Sequence, residues 1–68
     1  MKGVKFKLTD MLDMAPIEMK APTLPRVGDT IHLANEEGVV FLVECKFQHS
    51  VTGGYSFKEY VVIVEWVA

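Results

Sequence analysis

Phe57-Lys58-Glu59-Tyr60-Val61-Val62-Ile63-Val64-Glu65-Trp66-Val67-Ala68 decides the fold. The run reads as one long β-strand that is apolar on both faces. Side chains alternate along a strand, so Tyr60, Val62, Val64 and Trp66 share one face and Val61, Ile63 and Val67 share the other. A two-layer domain of 68 residues has a single interior. The second face therefore needs a cover, either the N-terminal half of the chain or a partner. Val61, Ile63 and Val67 are the candidate interface.

The chain length sets one domain, residues 1–68, with a thin core. Ordering costs roughly 1.5 kcal/mol per residue, which apolar burial at about 25 cal/mol per Å² barely offsets. Small domains add disulfides, a metal or oligomerisation. Cys45 is the single cysteine, so no intrachain disulfide can form. Oligomerisation is the expected supplement, and the expected partner is another protein or a second copy of the chain.

Net charge is −2, too small to steer nucleic acid or membrane toward the molecule. The charge is unevenly spread: residues 1–34 carry five basic and four acidic side chains, residues 35–68 two and five. Lys5, Lys7 and Asp10 interrupt the N-terminal segment, which has no apolar run of signal-peptide length. Tyr60–Val64 is too short to span a bilayer. A cytoplasmic protein with a reduced thiol is expected.

Working outward from the terminal strand, Val39–Gln48 is the cleanest alternating segment. Val39, Phe41, Val43, Cys45 and Phe47 are expected on one face, and Val40, Leu42, Glu44, Lys46 and Gln48 on the other. Ser50-Val51-Thr52-Gly53-Gly54 forms a loop, with glycines free to take positive φ. Thr30–Leu33 is a strand joined to Val39 by the Asn35–Gly38 hairpin loop. Residues 29–67 thus make a three-stranded antiparallel meander. Val4–Leu8 alternates apolar and basic residues and is expected at a sheet edge, where lysines discourage pairing with other chains. Residues 9–16 are expected to hold one helical turn capped by Thr9 or Asp10, and Ile17–Met19 a short extended piece. The fold expected is all-β, a small antiparallel sheet or partly open barrel of four to five strands.

Leu24-Pro25-Arg26-Val27-Gly28-Asp29-Thr30-Ile31 resembles the lead-in to the first strand of SH3-like small barrels. The resemblance covers residues 24–67 and implies that the meander closes into such a barrel. The compact, cysteine-poor chain is also similar in style to short proteins of bacteriophages and other mobile elements. Neither likeness carries a functional residue with it.

No constellation for catalysis, cofactor or metal stands out. Cys45 and His49 lie four apart, about 13 Å along a strand, too far to form a Cys–His pair. Cys45 is expected in the core with Phe41, Val43 and Phe47, where a thiol is an inert small hydrophobe. His32 is expected on a polar face. Glu36 and Glu37 are adjacent in a loop and point into water, unlike the shielded pair that acid–base chemistry needs. Gly53-Gly54 lacks the lysine and helix of a phosphate loop.

Met11, Met14 and Met19 offer two readings, a lid on one end of the barrel or an adaptable partner contact. The function expected is a non-enzymatic protein-interaction module, self-associating through its C-terminal strand by its outward apolar row or its exposed edge. The alternative is a nucleic-acid-binding small barrel that uses Lys5, Lys7, Arg26, Lys46 and Lys58 with Tyr55 and Phe57.

Overall fold

The computed structural model describes residues 3–12 and 14–67. Its five strands are β1 (Val4–Asp10), β2 (Ile17–Ala21), β3 (Thr30–Leu33), β4 (Glu36–His49) and β5 (Tyr55–Trp66). They form one mixed sheet in the order β2-β1-β5-β4-β3, curled into an open half-barrel. The architecture is all-β, compatible with a small β-barrel, and β3-β4-β5 is the antiparallel meander expected over residues 29–67.

The terminal strand β5 is the centre of the sheet. Lys7–Asp10 of β1 pair with Val61–Val64 in parallel, while β4 pairs with the whole length of β5 on its other side. Both edges of Val61–Val64 are therefore filled within the chain. The expected exposed edge of the terminal strand is absent there. β1 is likewise interior, because β2 pairs with its outer side from Val4↔Ala21 to Leu8↔Ile17. Its lysines stand on the face opposite Phe6 and Leu8 and guard no edge.

Phe6, Leu8, Val40, Val62 and Val64 form the buried core, with Leu24, Val43, Tyr60 and Trp66 among the side chains packed against it. The division of β5 follows the alternation read from sequence. That of β4 does not. The β4–β5 register shifts between Val40 and Leu42, leaving Phe41 as the extra residue of a bulge. One inserted residue swaps every later side chain to the opposite face. Val40, opposite Val64, and Val43, opposite Val62, consequently share the core side, and Phe41 is turned out.

Residues 9–16 contain no helix among the described residues, and Asp13 lies outside them. Thr9 and Asp10 end β1 instead. Leu12 N and Met14 N donate to Asp10 Oδ1 at 2.9 and 3.0 Å, and Thr9 Oγ1 donates to the Met14 carbonyl at 2.8 Å. These side-chain bonds give the backbone partners that a helical turn would otherwise supply.

Candidate interaction surface

β4 and β5 are much longer than their neighbours, and this mismatch creates the most distinctive surface. β3 covers the outer edge of β4 only to the region of Val39, and Val40 exchanges backbone bonds with Gly28 and Asp29. From Phe41 to His49, β4 has β5 as its sole strand partner among the described residues. Tyr55–Tyr60 of β5 similarly has only β4. Residues 41–60 thus project as a two-stranded hairpin with open edges, within a molecule measuring 46 × 31 × 19 Å.

The hairpin's own residues explain why it forms. Gly53 and Gly54 both take φ of 85°, and Ser50 N donates to the Gly54 carbonyl to close the tip. Phe47 and Phe57 meet edge to face at 6.1 Å, and Phe57 lies 4.6 Å from Tyr60. His49 stacks on Tyr55 at 4.6 Å. The two cross-strand pairs, Phe47–Phe57 and His49–Tyr55, stabilise a ribbon that has little core beneath it. Among the described residues, six of the eleven exposed large apolar side chains lie between Phe41 and Phe57, on this hairpin.

Cys45 is exposed on the hairpin, opposite Tyr60, and the expected core position is corrected. It does alternate with Val43 and Phe47 as read. By position 45, however, the strand has run beyond the reach of β1 and β2, so nothing covers that face.

The candidate residues fall at several places. Val61 is buried, at 7% exposure, flanked in register by Lys7 and Glu44. Ile63 is half-buried opposite Leu42, and Val67 is 52% exposed. The expected outward row is thus partly absorbed by the chain itself. Met14 lines a groove on this face with Val61 and Ile63; Met11 lies beside Trp66; Met19 packs against the core. The three methionines form no common surface, because the strand ending at Asp10 and the turn after it separate them.

Lys5, Lys7, Phe57 and Lys58 converge with Phe6 and Tyr60 in a cleft where β1 and β5 splay apart. Glu18 and Glu59 line the same cleft, and Lys7 Nζ lies 3.1 Å from Glu59 Oε1. That hydrogen bond holds the Glu59 carboxyl below its usual pKa. Arg26 stands apart in the 23–29 loop, Lys46 lies opposite Glu59 and shares an adjoining groove with Glu59 and Lys7, and Tyr55 is near the hairpin tip. The sequence reading missed this cleft because it follows from the parallel β1–β5 pairing.

Among the described residues no three His, Cys, Asp or Glu side chains are grouped to hold a metal ion. No helix among them is long and apolar enough to cross a membrane. The fold and this surface define an open β half-barrel carrying a projecting hairpin. No protein-family model matches the chain, and neither a curated protein nor a solved structure does.

Proposed function

We propose that this chain is a non-enzymatic protein-interaction module that accepts strands on its projecting hairpin. The observation that carries the reading is the pair of open edges, Phe41–His49 and Tyr55–Tyr60. Unpaired backbone groups along a regular edge are a template for another strand. In this reading, self-association through the C-terminal strand is confined to its outer half and to β4. A cytoplasmic location, a distant SH3-like relationship and an origin in a phage or mobile element belong to the same proposal. They rest on the sequence alone.

Hydrogen exchange measured over a range of concentrations, and with candidate partners, tests it. The expected result is protection that appears at 41–49 or 55–60 on association. Association that leaves both segments unprotected would refute the reading.

The cleft that gathers Lys5, Lys7 and Lys58 beside Phe57 and Tyr60 favours nucleic-acid binding as a second reading. It predicts affinity for single strands that falls steeply with salt. Glu18 and Glu59 in the same cleft, and the remoteness of Arg26, weigh against it. Absence of binding at low salt would remove it.

A further inference from the structure

We infer that the open edge of β4 pairs with the same edge of a second copy, antiparallel, about a two-fold axis at Cys45. This rests on the strand-accepting reading and specifies its edge, register and occupant. The edge is suited to pairing: from Leu42 to His49 β4 is regular, since the second bulge is on β5, where Lys58 is the extra residue. The segment holds no proline. Native sheets protect open edges with such devices, and this stretch has none beyond Lys46.

The sequence of the edge is complementary to itself in one register. With Cys45 opposite Cys45 of the copy, Glu44 faces the copy's Lys46 and Lys46 faces the copy's Glu44. Both stand on the convex face, so the two pairs of opposite charge lie side by side. On the concave face Val43 meets the copy's Phe47, and Phe47 meets its Val43. Moving the axis by one residue places Glu44 against Glu44 or Lys46 against Lys46. Moving it by half a residue sets core-side residues against convex-side ones, which antiparallel pairing forbids. An isologous interface demands this self-complementarity.

Two further observations agree. Val43 borders a groove with Leu24, Pro25 and Val27, beside the place where the copy's Phe47 would arrive. Phe47 is 59% exposed in the single chain. The molecule exposes 5238 Å². A compact monomer of its mass would expose roughly 4,300 Å². The excess is about what one partner contributes to a standard interface, about 800 Å².

The test combines mass by light scattering with charge reversal and thiol trapping. The wild-type chain is expected to dimerise. Glu44→Lys and Lys46→Glu are each expected to raise the dissociation constant on the order of tenfold by creating two like-charge pairs. The double variant E44K/K46E restores the opposite pairs and should regain wild-type affinity, which also separates lost pairing from lost folding. Diamide, which takes two protons and two electrons from two thiols, should link the dimer through Cys45. A dimer indifferent to both reversals and giving no Cys45 cross-link would overturn the inference while leaving strand acceptance at Tyr55–Tyr60 standing. A monomer throughout would overturn it as well; an extended peptide of another protein protecting 41–49 would then be the occupant.

Discussion

Trp66 Nε1 donates a hydrogen bond of 2.9 Å to Asp10 Oδ2, joining residues 56 positions apart. The same carboxylate uses its other oxygen to accept from Leu12 and Met14. One side chain thus closes the end of β1, orders the turn after it and anchors the end of β5.

Acid should weaken this clasp. The Met14 backbone bond, with help from Trp66 and Leu12, holds the Asp10 carboxyl below its usual pKa. The folded state therefore favours the charged form. Its contribution is complete above the unfolded pKa, about 3.9, and is lost as pH falls through the lower folded value. Trp66 is the single tryptophan, so its fluorescence reports the transition. Urea midpoints should fall between pH 5 and 2 in the wild type. In Asp10→Asn the profile should be flatter and the midpoint at pH 7 lower. Glu59, also depressed, leaves a residual slope. A D10N profile parallel to the wild type would exclude this role.

Gly38 should not tolerate a methyl group. A Cβ there would lie 3.1 Å from the Trp66 ring and 3.1 Å from Val64 Cβ, both held in the packed interior. Gly38→Ala is expected to cost about 1–3 kcal/mol, as overpacking does. Chemical denaturation with Trp66 as the probe measures it, and an unchanged midpoint would show that the ring shifts freely.

Ala34 offers the reverse case. It is the first residue of the two-residue turn between β3 and β4 and takes φ of 36°. Left-handed backbone strains an L-residue with a Cβ, whereas glycine adopts it without penalty. Ala34→Gly should raise stability by about 0.5–1 kcal/mol despite the larger entropy of the unfolded chain. Thermal unfolding decides, and a lower melting temperature would contradict the prediction.

Val61 and Val67 should respond differently to charge. Val61→Lys inserts an ammonium into a site 7% exposed, between Lys7 and Glu44, and should unfold most of the protein. Val67→Lys, at a position 52% exposed, should leave the circular dichroism spectrum and melting temperature nearly unchanged. Equal effects from the two substitutions would refute the burial of Val61 within the chain's own sheet.

The strands and the hairpin tip were legible because their signals are local, whereas the loop expected over Asn35–Gly38 is the two-residue turn Ala34-Asn35, with Glu36–Gly38 paired to β3. The alternation of Val4–Leu8, Thr30–Leu33 and Tyr60–Trp66, and the Gly53-Gly54 tip, depend on neighbours in the chain. The face of Val40, the exposure of Cys45 and the absence of a helical turn after Thr9 were not legible. The first follows from a bulge at Phe41 that no residue type announces. The second follows from how far β4 outruns its neighbours. The third follows from the Asp10 carboxylate bonding to Leu12 and Met14.

By itself the sequence determined an all-β chain, the β3-β4-β5 meander and a terminal strand apolar on both faces. Only the tertiary structure decided what that second face and its edge meet. Parallel pairing with β1 buries Val61 and fills the edge of Val61–Val64, because it joins segments more than fifty residues apart. Alternation tells a side chain which face it shares. It is silent on which strand lies alongside, since backbone hydrogen bonds are the same for every sequence.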